Sequence, residues 1–364
     1  MEKNGKINRV SMMHKFVKDI KYVGDYVQEK TCNVMLCGDS KYIEYCGLTI
    51  ISVLKSNMNT DFCFHILCDN ISNDDLERLA YVSQKYKINI RLYILNEDII
   101  NSMIASVIPE RHISVATFFR ILGFEILDES YERVLYLDAD IMVRGSISAF
   151  FDLNLQGKVI GGISDVLECE HLQRIIRSKY INDESIDNNR YFNAGVIVVN
   201  LKKWKEGNYT KKCLDNIYKY KYEFMDQDAL NITLRDDAVF LDSRYNYQYD
   251  LSTIIAKGSK NEFLSKPYVY VINDISVVHF VGRVKPWFKC ALWNPFAQEY
   301  RKMQQDSPWN TTKLLDLDDF QRYEDKYKFA KLDMKAAWKT ERYIDALFGL
   351  YQYSYYKVQH IINR

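Results

Sequence analysis

From Asn33 onward, short apolar runs alternate with longer stretches in which apolar and polar positions recur at helical spacing. Asn33–Cys37 (NVMLC), Asp61–Cys68 (DFCFHILC), Ile88–Leu95 (INIRLYIL) and Arg133–Leu137 (RVLYL) each have the length and the β-branched or aromatic content of a buried strand. Between them, Ile43–Lys55 and Val115–Leu127 read as helices, and Ser72-Asn-Asp-Asp75 reads as a helix start. A serine hydroxyl can cap the first free amides there, and acids in the first turn favour the positive end of the helix. Further strands are expected at Lys158–Ile163 (KVIGGI), Phe192–Val199 (FNAGVIVV) and Val277–Phe280 (VVHF). Strands separated by helices predict an α/β fold with a mostly parallel central sheet covered on both faces. Ligands in such sheets gather beyond the carboxyl ends of the strands. The first thirty or so residues read as a charged, partly helical extension. Beyond Trp287 the chain turns polar and Tyr-rich, which predicts a helical appendage. The expected division is an extension over 1–31, an α/β domain over 32–287 and a helical region over 288–364.

A chain of 364 residues, 48% of them hydrophobic, can bury one large core with an appendage. Its formal net charge of +1 argues against nucleic acid as a partner, because phosphate binding needs a basic surplus. The eight cysteines show no zinc-type spacing, and Cys32, Cys37, Cys46, Cys63 and Cys68 mostly lie in apolar stretches as free thiols would in a reducing compartment. The opening MEKNGKINRV lacks the apolar core of a signal peptide, and no apolar run is long enough to cross a bilayer. The expected location is therefore cytoplasmic, with contact to a membrane only at its surface.

The candidate chemistry starts at Val134–Val143, VLYLDADIMV. An apolar strand runs into Asp138 and Asp140, two like charges one residue apart at a strand's carboxyl end. A solvent-facing loop would account for that pair taken alone; a bound cation would also. Three more features bear on the choice. In Val277–Trp287, VVHFVGRVKPW, His279 ends a strand, and two carboxylates with an imidazole suit Mn²⁺ better than Mg²⁺. Gly282 would let backbone approach a phosphate and Lys285 would offer it a point charge. In Tyr191-Phe-Asn-Ala-Gly195, small residues interrupt an apolar strand, so that Asn193 faces a sugar hydroxyl or merely sits in a bulge. Asp226-Gln227-Asp228 precedes ALNITL, where acids can be simple helix caps.

These residues together resemble family 8 glycosyltransferases, retaining enzymes of the GT-A (Rossmann-like) fold, and within them the lipopolysaccharide core α-glucosyl- and α-galactosyltransferases. The likeness runs from about Cys32 to the C-terminus and is carried by LYLDADIMVRGSI, YFNAGVIVVNLKKWKE, DQDALN and HFVGRVKPW. It implies that Asp138, Asp140 and His279 hold Mn²⁺, with Mg²⁺ as the alternative, against the diphosphate of a UDP-sugar, and that Ala139 belongs to the same donor-binding segment. It further implies uridine contacts at Cys37, Gly38 and Asp39, and a donor-sugar and diphosphate contact at Arg120. Asn193, Asp226 and Gln227 fall in the donor-sugar pocket, Gly282 and Lys285 in the diphosphate clamp. Asp165 falls near the acceptor, and His112, in RHIS, at an acceptor-side or donor-rim position. Gln227, Asp226 and Asp165 are thus the catalytic candidates. Residues 166–190 would line the acceptor site. The implied partners are a UDP-hexose and a lipid-linked oligosaccharide on the cytoplasmic face of the inner membrane. Glucose against galactose stays open, as does the linkage position.

For the chemistry, a double displacement would need a carboxylate under the anomeric carbon, for which Asp226 and Asp228 qualify by type. Front-face attack, with Gln227 stabilising an oxocarbenium-like state, is the route favoured here. Residues 338–364 mix aromatics, aliphatics and cations, and Lys357 and Arg364 stand in a final stretch of fifteen residues without an acid. A helix lying on an anionic leaflet has that composition, and so does a terminal helix packed on its own domain. Two rival functions remain: a phosphohydrolase of the haloacid dehalogenase type, with Asp236-Asp237 as its second acidic pair, and a sugar-nucleotide-binding protein without turnover.

Overall fold

Eight strands of the N-terminal part lie side by side in the order β1-β4-β3-β2-β5-β8-β7-β9. They are β1 (Val17–Val23), β2 (Cys32–Cys37), β3 (Phe62–Cys68), β4 (Asn89–Leu95), β5 (Arg133–Leu137), β7 (Ile160–Ser164), β8 (Phe192–Asn200) and β9 (Ala238–Leu241), with a short β6 (Ile141–Val143) after β5. The computed structural model describes residues 15–28, 31–96, 98, 100, 116–165, 191–219, 225–249 and 274–363. It falls into two units, residues 1–246 and 247–364.

In the first unit β4, β3, β2 and β5 run parallel. β2 and β3 are buried along nearly their whole length, as the unbroken apolar runs CNVMLC and FCFHILC require of strands covered on both faces. Helix α1 (Ile43–Ser56) follows β2, α2 (Asn73–Tyr86) follows β3, and α3 (Ala116–Ile126) precedes β5. Ser72 caps α2 by accepting from the Asp75 amide at 3.0 Å, and Asp74 and Asp75 occupy its first turn. One side of the sheet is filled by aromatics: Phe118, Phe119, Phe124, Tyr136 and Trp204 are all buried, and the Phe124 and Trp204 rings meet edge to face at 4.9 Å.

The sheet then departs from a purely parallel pattern. β8 runs antiparallel to both β5 and β7, and β9 lies parallel to β7. The N-terminal stretch expected to be partly helical instead contributes β1, an antiparallel edge strand on β4. Its sequence VKDIKYV carries lysines and an acid at outward positions, the usual protection of an exposed edge. That is why it reads as a charged extension.

The second unit carries β10 (Tyr247–Gln248) paired in parallel with β11 (Val277–His279), then α4 (Pro295–Gln305), α5 (Tyr323–Lys339) and α6 (Tyr343–Ile362). Asn294 caps α4, with Pro295 at the first helical position where its missing N–H costs nothing. Helices α5 and α6 pack on one another as the expected helical tail, and Ala346 and Gly349 are the buried residues of α6.

His65, in the middle of β3, is fully buried. Its Nε2 meets Asn33 Oδ1 at 3.0 Å and its Nδ1 meets the Tyr93 hydroxyl at 3.3 Å. Burial, and then the Arg91 cation, lower its pKa to about 3. The unfolded chain therefore takes up this proton first as pH falls below about 6.5, so the stability tied to neutral His65 is complete above that pH and is lost on acidification toward the folded value. We expect His65 to account for about 2 kcal/mol of lost stability between pH 7 and pH 5. Urea unfolding at both pH values should show that loss in the wild type and a shallower one in His65→Gln; equal losses would acquit His65.

Candidate active site

Strand direction brings the first unit's candidate residues to one edge of the sheet. β2, β5 and β7 all point the same way, so Cys37–Asp39, Asp138 and Asp165 follow their carboxyl ends at that edge. β8 runs oppositely, so Tyr191 and Asn193 at its beginning arrive there too. The pairing of β7 and β8 slips between Gly162 and Ile163: Gly162 faces Ile197, yet Ile163 faces Asn193. The small residues of YFNAG thus form a bulge, which turns backbone carbonyls toward the site.

Arg120, from α3, organises this edge. It donates from Nη2 to Asp138 Oδ1 at 2.9 Å and from Nη1 to the Ala194 carbonyl of the bulge at 2.6 Å, and its Nε lies 2.8 Å from Asp226 Oδ2. The Tyr136 ring lies under the guanidinium at 4.7 Å, and its hydroxyl donates to the same Asp138 oxygen at 2.5 Å. The Asp138 amide donates to Gly195 O at 2.9 Å. Burial works to lower the Arg120 pKa, but Asp138 and Asp226 together outweigh it and hold the value above the usual arginine range. For Asp226 burial is the larger influence and pushes its carboxyl up, against the pull of Arg120.

Helix α1 fixes the loop that carries the two aspartates. Its Thr49 hydroxyl lies 3.2 Å from Ala139 O and 2.9 Å from Ile141 O, and the Val143 amide donates to Ser52 Oγ at 2.9 Å. Ser56 donates to Val143 O at 3.0 Å. These hydroxyls recur along one face of an apolar helix, the one sequence signal that could have revealed them. Asp39 turns the chain into α1, accepting from the Lys41 amide at 3.0 Å. Gly38 is needed there, because a Cβ would lie 2.8 Å from Tyr42 Cβ. The Tyr42 hydroxyl is raised by burial and then by the charges of Asp140 and Asp39.

A second network holds the catalytic candidates. Asp165 Oδ2 accepts from Asn193 Nδ2 at 3.0 Å and from Gln227 Nε2 at 3.1 Å. Gln227 Oε1 accepts from the Ala194 amide at 2.9 Å, so the amide has one orientation. Asn193 Oδ1 accepts from the Gly195 amide and from Asn246 Nδ2, both at 3.0 Å. Asp228 is fully buried and accepts from the Tyr191 hydroxyl at 2.6 Å. Asp226, Gln227 and Asp228 occupy the first turn of the helix Met225–Thr233, as the acids before ALNITL suggested. Tyr136 and Tyr191 are supporting residues whose roles the sequence alone does not reveal, and Thr49 shows there only through the spacing of the α1 hydroxyls.

In the second unit His279 is buried at the end of β11. Gly282 adopts φ +79°, a backbone that suits glycine alone, and Lys285 Nζ donates to Phe280 O at 2.7 Å. Trp287 is buried with its ring 5.9 Å from that of Tyr300. Asp138 and Asp140 in the first unit and His279 in the second are donor types that suit a divalent cation accepting both oxygen and nitrogen. His112 and residues 166–190 lie outside the described residues. Asp237, of the rival acidic pair, stands just before β9. Since β9 parallels β7, that position is at the opposite edge of the sheet from Asp138.

Comparison with known proteins identifies the family and the fold. The lipopolysaccharide 1,2-glucosyltransferase of Escherichia coli K12 is 29% identical over 303 residues, 81% of this chain and 84% of that protein. The lipopolysaccharide 1,3-galactosyltransferase of Salmonella typhimurium is 29% identical over 285 residues, covering 76% and 79% of the two chains. Galactosyltransferase LgtC, solved with donor and acceptor sugar analogues, superposes with a TM-score of 0.60 at 24% identity, over 77% of this chain and 96% of its own. It shares the GT-A fold. The model of glycosyl transferase family 8 matches residues 33–291. That match spans more than two thirds of the sequence, and the chain belongs to glycosyltransferase family 8.

Proposed function

We propose that this glycosyltransferase moves glucose or galactose from a UDP-hexose to a hydroxyl of a lipopolysaccharide core sugar, with retention of the α-configuration. The observation that carries the reading is the pair Asp138 and Asp140 at the end of β5, with Asp138 held by Arg120, beside the network of Asp165 and Gln227, in a chain whose relatives are named for lipopolysaccharide glucosyl and galactosyl transfer. In this reading Asp138, Asp140 and His279 hold Mn²⁺. When bound, the ion supplies positive charge beside the diphosphate that leaves. Lys285 adds a point charge to the same group, and the Gly282 backbone permits its close approach. Asp39, with Cys37 and Gly38, takes the uridine. Arg120, Asn193 and Asp226 shape the donor-sugar pocket, and Asp165 faces the acceptor.

The hydrogen bonds favour front-face attack over double displacement. Asp228 is sealed beneath Tyr191, and Asp226 is tied to Arg120. A nucleophilic carboxylate would have to break those contacts before reaching carbon. Gln227 is held by Ala194 and Asp165, so its amide dipole can face a positive anomeric carbon without reorganising. The departing phosphate then accepts the acceptor's proton.

The tail reading is membrane contact. Ile344, Leu347, Phe348, Tyr351, Tyr355 and Val358 recur at helical spacing on α6 and are all exposed, which is the apolar stripe of an interfacial helix. No helix among the described residues is long and apolar enough to cross a membrane.

Three outcomes test this reading. EDTA should abolish UDP release from a UDP-hexose and Mn²⁺ should restore it. In the same assay Asp138→Asn should lose about 10³-fold in rate, and His279→Ala should need at least about tenfold more Mn²⁺. Unaltered titrations in both variants would remove the metal assignment. Intact-mass spectrometry during turnover should find no hexose on the chain, whereas a hexosyl adduct on Asp226 or Asp228 would establish double displacement. Replacing Phe348 and Tyr351 together by glutamate should release the protein from vesicles containing phosphatidylglycerol while leaving UDP release unchanged. Equal sedimentation of variant and wild type would leave α6 without a membrane role.

A further inference from the structure

The edge of the sheet opposite Asp138 carries two neighbouring clefts, of about 510 and 620 Å³, which share Asn89 and Arg91 as walls. These volumes fall in the range of small-molecule sites. They open at the beginnings of β2, β3, β4 and β5, whereas the candidate active site lies beyond the carboxyl ends of β2 and β5.

The lining is unlike that of a crevice left between helices. Gln28, Asn33, Asn89, Arg91, Arg133 and Glu132 are planar amides, guanidiniums and a carboxylate, groups that address two neighbouring hydroxyls at once. Tyrosines flank them. Tyr22 is 69% exposed, and the Arg91 guanidinium lies 5.9 Å from its ring and 5.5 Å from that of Tyr131. Arg91 also donates to the Tyr131 hydroxyl. Several of these groups are already oriented. His65 fixes the Asn33 oxygen, and Asn89 accepts from the Tyr26 amide at 2.9 Å and donates to its carbonyl at 2.8 Å, holding Tyr26 at the rim.

The backbone adds an independent sign. Glu132, on the wall of the 510 Å³ cleft beside Arg133, sits at φ +42° and ψ −57°. A residue with a side chain is rarely found there, and such strain persists where a function maintains it.

We propose that these adjoining clefts form a second carbohydrate-binding site, in which one pyranose of an oligosaccharide stacks on Tyr22 in the 620 Å³ cleft and its neighbour is hydrogen-bonded by Gln28 and Arg133 in the 510 Å³ cleft, with Arg91 shared between them. Aromatic faces suit the C–H face of a sugar ring, and oriented planar groups suit its hydroxyls. Its use, which rests on the transferase reading, is to hold glycan near the enzyme and so raise the local concentration of acceptor. The binding itself does not depend on the donor or the metal.

The test uses the full chain and three soluble probes: maltotriose, isomaltotriose, and the oligosaccharide released from bacterial lipopolysaccharide by mild acid. Saturation-transfer NMR should detect at least one of them. Combined Tyr22→Ala and Gln28→Ala substitutions, both at accessible positions, should weaken it at least about fivefold while UDP release from UDP-hexose without glycan stays at the wild-type rate. No signal from any probe, or undiminished binding by the double variant, overturns the proposal. Should the wild type bind glycan in a Tyr22- and Gln28-dependent way yet release no UDP, the cleft stands and the transferase reading falls.

Discussion

The first unit's functional edge depends on one cation, Arg120, whose side chain is only 14% exposed. Asp138, Asp226 and Arg120 all come from different elements, and without Arg120 two carboxylates would face each other with little water to separate them. Removing one member of such a buried arrangement leaves an uncompensated charge, a cost of about 3–5 kcal/mol in comparable cases. Arg120 also grips the Ala194 carbonyl, so the same side chain that neutralises the acids locks the bulge of β8. Tyr136 and Arg120 both address Asp138 Oδ1, which fixes the plane of that carboxylate. Of the two acids in LYLDAD, Asp138 thus has its charge met by Arg120, which meets that of Asp226 as well.

Topology makes this convergence necessary. A wholly parallel sheet would bring only strand ends to the functional edge. Inserting β8 in the opposite sense places a strand's beginning between two strand ends, β5 and β7, and the bulge then supplies carbonyls where a regular ladder would have consumed them. Asn193 and Gln227 meet Asp165 through that insertion. Meanwhile the hydroxyls of α1 take up the carbonyls of Ala139, Ile141 and Val143, so the aspartate loop is held from the helix side as well.

Much of this was legible in the sequence, for identifiable reasons. Strands β2 to β5 declare themselves because both faces are buried and their runs are continuously apolar. α2 is marked by Ser72 and its acids. Asp-x-Asp, YFNAG and DQD stand out because charge or small size interrupts an apolar pattern. What escaped was of two kinds. β1 has alternating charges because one of its edges is exposed, so a strand resembles an extension. Arg120, Tyr136 and Thr49 escape on residues alone because their roles depend on which distant backbone group or carboxylate they meet, and composition does not encode that. Arg120 was reached by resemblance, which supplied its position at the site but not its bridge between two acids.

The distribution of hydrogen bonds also constrains the chemistry. Asp138, Asp165 and Asp228 each accept from named protein donors, and Asp226 is paired with Arg120. A carboxylate serving as a nucleophile must keep an electron pair directed at the reacting carbon, and every donor aimed at its oxygens lowers that reactivity. A carboxylate serving to position a neighbour gains from the same donors, because they remove its freedom to turn. The edge is therefore built as a fixed electrostatic frame, with the acids orienting Asn193, Gln227 and Arg120. Charge that develops in a reaction there would meet dipoles already in place.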